Sequence, residues 1–258
     1  MTGSAMVDDD LLLAAARNCA EGYAFPSRRM GRSELVTDLL VGADLGLPAA
    51  APTNSATMLR PALPPELPGV LEALTALFNG PGGGWQLWDP WNCVDLARFG
   101  FERSATPCMV RAAGGTAPPR PAALKIVEVG DDRTLRDMNE VVMSGYGLPL
   151  SCSGFLWTAE VFGDSRYRAW VGYVDDRPVS TAAAYVGAGL VGVYVVATVP
   201  EARGRGYGEA LTWVAAMSAP ELDATLQASD MGRPIYERMG FQAIQTYTSW
   251  AMDPRVGG

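Results

Sequence analysis

One run of the chain places a strand, a glycine-rich turn and a helix in direct succession. Leu190 to Thr198 reads as a strand, Arg203-Gly204-Arg205-Gly206-Tyr207-Gly208 follows it, and helical spacing continues from about Tyr207 to Met217. Glycines at 204, 206 and 208 allow positive φ and a close approach of the backbone to a ligand. Successive N–H groups then point outward at a helix N-terminus, where the helix dipole favours negative charge. Arg203 and Arg205 add cationic donors. The unit reads as a pyrophosphate cradle. It is not a Walker A loop, because the Gly-Lys-Ser/Thr ending is missing. Its G-x-G-x-G spacing and late position also differ from the dinucleotide fingerprint G-x-G-x-x-G.

The surrounding pattern is mixed α/β. Ala123 to Val129, Arg168 to Val174 and Val179 to Val186 read as strands, and Asp132 to Met143 as a helix with an Asp-rich start. Beyond the Gly-rich turn come a short strand at Ala224 to Ala228, a helix at about Arg233 to Met239 and a strand at about Ala243 to Met252. The stretch 114–121, Gly-Gly-Thr-Ala-Pro-Pro-Arg-Pro, lacks hydrophobic periodicity and carries three prolines. It divides the chain into residues 1–113, a linker at 114–121, and residues 122–258.

Composition removes several chemistries. The chain of 258 residues contains no histidine, which excludes Ser-His-Asp triads, Cys-His pairs and His-ligated metals. Cys19, Cys93, Cys108 and Cys152 show no zinc spacing, so no metal is expected. The net charge is −8 and Lys125 is the single lysine, which argues against nucleic acid. No run has the length of a membrane helix, and Asp8-Asp9-Asp10 stands where a signal peptide needs positive charge, so a cytoplasmic protein is expected.

The segment Val195 to Leu211 resembles motif A of the GNAT (N-acetyltransferase) superfamily. Its core, Gln/Arg-x-x-Gly-x-Gly/Ala, is met by Arg203, Gly206 and Gly208. Pro234-Ile235-Tyr236-Glu237-Arg238-Met239-Gly240-Phe241 is similar to motif B, which ends Tyr-x-x-x-Gly-Phe. The resemblance covers roughly Ala123 to Met252. It implies a GNAT fold there and acetyl-CoA as co-substrate. Val196, Ala197 and Thr198 would line the pantetheine arm, and Arg203, Gly204, Arg205, Gly206, Tyr207 and Gly208 would hold the pyrophosphate. Ser229 stands where the family often has an asparagine on the pantetheine. Tyr236 aligns with the tyrosine that protonates the departing thiolate in many members. Many relatives carry a Glu on the strand before the loop, and this strand has none. Glu160, Asp230, Glu140, water held by Tyr194, or an amine that arrives neutral all remain open for the base role. Tyr146, Phe155, Trp157, Phe162, Tyr167 and Trp170 read mainly as core, with an aromatic acceptor wall as the sharper reading.

The first half resembles a damaged copy of the second. Leu96 to Phe101 parallels Tyr236 to Phe241 at an offset of 140, and Glu72 to Thr75 parallels Glu209 to Thr212 at 137. At the latter offset Glu66 replaces Arg203, Pro68 replaces Arg205, and Gly69 alone keeps a loop glycine. A carboxylate and a lost N–H would repel a pyrophosphate. The expectation is a truncated, degenerate GNAT-like first half without a cofactor site, packed on a catalytic second half. The implied activity is direct acetyl transfer from acetyl-CoA to a primary amine of a small molecule. A protein or peptide acceptor, and a CoA-binding regulatory module without turnover, remain open, as does the oligomeric state.

Overall fold

Strand pairing between distant parts of the chain organises the protein. The computed structural model describes residues 8–45, 54–78, 84–148, 152 and 157–252. The first part contains helix α1 (Asp9–Arg29), strands β1 (Glu34–Val36), β2 (Leu40–Ala43) and β3 (Ser55–Met58), helix α2 (Leu67–Leu77), and strands β4 (Trp85–Asp89) and β5 (Glu102–Arg111). After the Gly/Pro stretch come β6 (Lys125–Glu128), helix α3 (Asp132–Tyr146), β7 (Tyr167–Val174), β8 (Arg177–Gly187) and β9 (Leu190–Thr198). Helix α4 (Tyr207–Ala216), β10 (Asp223–Gln227), α5 (Arg233–Arg238) and β11 (Gln242–Met252) are the last elements of the described residues. The strands and helices of this second part lie where their periodicity and turn residues put them.

The eleven strands of the described residues form one sheet in the order β1-β2-β3-β4-β11-β5-β10-β9-β8-β7-β6. Strand β5 lies before the Gly/Pro stretch yet pairs antiparallel with both β10 and β11. Strand β11 in turn pairs with β4. The last strand of each half therefore sits in the other half's sheet. Outward from the central β5–β11 pair the two sides match. β4 is parallel to β3 on one side, and β10 is parallel to β9 on the other. Helices α2 and α4 begin at residues 67 and 207, β4 and β10 at 85 and 223, and β5 and β11 at 102 and 242. The turn into each last strand is also alike. Gly100 and Gly240 both have positive φ, and the N–H of Phe101 and Phe241 donates to the carbonyl of Leu96 and Tyr236 respectively.

The two sides are held together by more than backbone. Arg111, buried at the end of β5, donates to the carbonyls of Met239 and Gly114, and its guanidinium lies 4.5 Å from the Trp213 ring centroid. Helix α1, for which the sequence carried no expectation, packs across β2, β3, β8 and β9. Asp8 caps it by accepting from Asp10 and Leu11 N–H, with acidic residues in the first turn and Arg28 and Arg29 in the last. Its Asn18 is fully buried and donates to the carbonyls of Tyr185, Gly187 and Leu190 at the β8–β9 hairpin. Among the described residues no helix is long and apolar enough to cross a membrane, and no cluster of metal-binding side chains occurs.

Candidate cofactor cleft and active site

The cleft begins with a break in strand pairing. Strands β9 and β10 pair only from Leu190 to Gly192 against Asp223 to Thr225, and then diverge. Against β8, two residues of β9, Val195 and Val196, stand opposite Ala182, where the register shifts. Val195 takes φ of 55°, costly for a β-branched residue and the mark of a bulge that re-aims the strand. Ser180 steadies the last residues of β9 by donating to the Ala197 carbonyl and sharing a hydrogen bond with the Thr198 hydroxyl.

The loop after β9 turns tightly into α4. Gly204 and Gly206 have φ of 75° and 77°, the left-handed region where glycine carries no steric penalty. Gly206 is the N-cap of α4 and offers no side-chain acceptor. The first helical bond runs from Ala210 N–H to the Gly206 carbonyl, which leaves the N–H groups of Tyr207, Gly208 and Glu209 without intrahelical acceptors. A Cβ on Gly208 would lie 3.1 Å from Thr198 Oγ1, so the helix start and the strand end approach closely. This is a concave donor set with the dipole's positive end, matched to a phosphate or pyrophosphate.

A cleft of about 470 Å³ joins these parts. Val196, Ala197, Thr198, Arg203, Gly204, Gly206, Tyr207, Gly208, Ser229 and Tyr236 all line it. Arg205 is exposed and does not line it. The Arg203 side chain lines the cleft but is bound to protein carbonyls: its Nε donates to Thr198 O at 3.2 Å and its Nη2 to Gly145 O at 2.8 Å. The Ser229 hydroxyl accepts from Gly232 N–H, and its own proton remains available to a ligand.

Tyr236 on α5 is nearly buried, and burial pushes its phenol up to about 12. Its ring lies over Gly232, where a Cβ would come within 2.7 Å of the ring, and stands edge-on to Phe241 at 6.0 Å. At neutral pH it is a neutral phenol. The same desolvation that weakens it as an acid strengthens a neighbouring thiolate as a base.

Residues not singled out as cofactor contacts complete the cleft: Gly145 and Tyr146 from α3, and Met231, Gly232, Ile235 and Arg238 around α5. Tyr146, one of the aromatics read as core or as an acceptor wall, and Met231, which the sequence did not single out, are large side chains left exposed at the cleft. Of the other aromatics, Trp157, Phe162, Tyr167 and Trp170 pack into the core, and Phe155 lies outside the described residues.

The base candidates are not brought together with this cleft. Glu160, Asp230 and Glu140 are exposed, and none lines it. Tyr194 is buried under α1, its hydroxyl 2.7 Å from Asn18 Oδ1 and 2.9 Å from Asn18 O, so its proton is committed to protein acceptors. Among the described residues the one carboxylate lining the cleft is Glu209, paired with Arg238 at 3.6 Å. In the first half, Glu66 stands at the N-cap of α2, accepts from Leu63 N–H and pairs with Arg60. These donors hold its carboxyl down at about 2. By the helix starts Glu66 corresponds to Gly206 and not to Arg203 as the sequence offset implied, and its carboxylate turns back to Leu63 and Arg60 without capping an N–H of α2.

Residues 165–243 match the family model described as acetyltransferase (GNAT) domain. The whole chain is similar in structure to a GCN5-related N-acetyltransferase from Kribbella flavida, at 22% identity, 98% coverage of each chain and a TM-score of 0.66. A GCN5-related N-acetyltransferase from Sphaerobacter thermophilus is 15% identical over 93% of this chain and 91% of its own, with a TM-score of 0.57. A GCN5-related N-acetyltransferase-like protein from Streptococcus suis 89/1591 is 14% identical over 92% and 97%, with a TM-score of 0.55. These likenesses are of fold, and no curated protein is similar at a significant level. The family match thus covers residues 165–243, a GNAT acetyltransferase domain, and the chain as a whole shares its fold with these proteins.

Proposed function

We propose that the protein is an N-acetyltransferase that takes the acetyl group from acetyl-CoA and passes it directly to a primary amine of a small molecule within a ternary complex. The observation that carries this reading is the continuity of one cleft. It runs from the uncapped start of α4, through the bulged strand end Val196 to Thr198, to the phenol of Tyr236. N–H groups of Tyr207, Gly208 and Glu209 would hold the pyrophosphate. The backbone of Val196 to Thr198 and the hydroxyl of Ser229 would hold the pantetheine amides.

The chemistry then asks little of side chains. A neutral amine nitrogen attacks the thioester carbon, the C–S bond breaks, the nitrogen loses a proton and the sulfur gains one. Tyr236 is the residue lining the cleft that suits delivery of a proton to the sulfur. Since Glu209 is paired and the other candidate carboxylates lie outside the cleft, the amine arrives neutral or loses its proton to water.

The first half is read as a duplicated copy that keeps the fold and has lost the site. The matched strand order and the like turns at Gly100 and Gly240 support this. Helix α1 precedes β1 and packs on β1 to β3 as α3 precedes β7 and packs on β7 to β9, so among the described residues only β6 lacks a counterpart, which is a short truncation at the front. The lack of an unpaired carboxylate in the cleft also supports a second reading, a CoA-binding module without turnover. Release of CoA thiol from acetyl-CoA, measured with a panel of primary amines, separates the two. Acceptor-dependent release supports transfer, whereas tight acetyl-CoA binding with no release for any amine or peptide supports the module.

A further inference from the structure

We propose that Tyr146 is the specificity residue that closes the acyl end of the cleft and restricts the transferred group to a short acyl chain. The inference rests on the proposed function, because it assigns a thioester to this cleft.

The direction of the cleft carries the argument. Its anion-binding end is at Gly206 and the first turn of α4. From there β9 recedes through Thr198 and Ala197 to Val196, next to the bulge at Val195. A pantetheine arm laid along that backbone delivers its thioester at the Val196 end. Tyr146 meets it there: its hydroxyl donates to the Val196 carbonyl at 3.2 Å, and its ring lines the same cleft as Tyr236.

The ring is held in place from both sides. Helix α3 ends at this residue, with Gly147 in the left-handed conformation as its C-cap. Gly145 lets the last turn touch β9; a Cβ there would lie 2.9 Å from Ala197 Cβ and 3.3 Å from Thr198 N. Arg203 ties the Gly145 carbonyl to the loop that starts α4. Together with the hydroxyl's hook on Val196, these contacts leave the ring little freedom to swing aside. A two-carbon acyl group ends before the ring, and a longer one runs into it.

Tyr146 is 54% exposed, so shortening it opens space without leaving a buried void. Its proton is used on Val196, which separates its role from that of Tyr236. A gate of this kind predicts a change in which acyl-CoA is used, whereas a merely structural role changes all of them alike.

The test compares acetyl-CoA, butyryl-CoA, hexanoyl-CoA and CoA itself on the full chain, by calorimetric affinity and by CoA release with one working amine. For the wild type, kcat/KM for hexanoyl-CoA falls at least about tenfold below that for acetyl-CoA, a difference of about 1.4 kcal/mol. In Tyr146→Ala the hexanoyl-to-acetyl ratio rises at least about tenfold while CoA affinity stays within about threefold. Tyr146→Phe keeps the ring and the acetyl preference but loosens it by the lost hook. Tyr146→Leu serves if the alanine variant melts early. An unchanged ratio in a folded Ala or Leu variant that still binds CoA overturns the proposal. Failure of the wild type to bind CoA at all overturns the cofactor reading instead.

Discussion

The guanidinium of Arg203 joins the carbonyl of Gly145 at 2.8 Å to that of Thr198 at 3.2 Å, so the side chain expected to meet a phosphate instead ties α3 to the end of β9. A lysine has the charge but cannot span two carbonyls from a fixed planar fork. Arg203→Lys and Arg203→Met are therefore expected to lose acetyl-CoA affinity alike, by about fivefold to tenfold for hydrogen bonds worth about 1–1.4 kcal/mol at an exposed site. Affinity retained in the lysine variant and lost in the methionine variant would mean that Arg203 acts as a phosphate cation.

Asn18 joins α1 to the β8–β9 hairpin of the second half through one amide. Its Nδ2 faces three carbonyls, and its Oδ1 accepts the Tyr194 hydroxyl. Gly192 and Gly22 make the approach possible, since a Cβ on either would collide with the Tyr194 ring. Asn18→Ala removes the donor that faces the three carbonyls while the Tyr194 hydroxyl keeps the backbone carbonyl of residue 18, and it is expected to cost roughly 1–3 kcal/mol, read by denaturant unfolding. A loss under about 0.5 kcal/mol would show that water replaces the amide at no cost.

Much of the second half was legible in the sequence because its information is local. Turn glycines, alternating strands and the Asp131 cap of α3 each act within a few residues. The helix α1 was not read, and neither was its partner: Tyr194 offered itself as a water holder, while the residue that takes its proton lies 176 positions away. The exchange of β5 and β11 was hidden for the same reason. Alternation marks a strand but does not name the strand beside it. At the site, the glycines of the Gly-rich loop and the motif tyrosine lie where the cleft is, whereas the arginines differ. Arg205 does not line the cleft and Arg203 donates to two carbonyls at its edge, features of loop geometry that residue type does not encode.

Tyr236→Phe keeps the ring over Gly232 and removes only the hydroxyl. A proton donated as the C–S bond breaks matters in the transition state, so kcat is expected to fall at least about tenfold with little change in acetyl-CoA affinity. The pH dependence has a definite sign. Tyr236 donates only while protonated, and burial raises its pKa to about 12, so this requirement is met at lower pH and lost as pH rises through that value. The wild-type rate is expected to rise with the free-amine fraction of the acceptor and then stay level through pH 10. A fall centred near 10 that disappears in the Phe variant would place an ordinary, solvated phenol there. A wild-type rate in the Phe variant, with chemistry limiting, would remove Tyr236 from the reaction.

Calorimetric titration of the full chain with acetyl-CoA tests the central claim most directly, with Gly206→Val alongside. Valine at φ of 77° is strained by about 1–2 kcal/mol and sets a branched side chain at the donor cradle. The variant's melting temperature is followed so that loss of binding is distinguished from loss of fold. The account predicts one acetyl-CoA per wild-type chain and none on the folded variant, with the Glu66 end of α2 taking no part. Two sites per wild-type chain, or undiminished affinity in Gly206→Val, would contradict it.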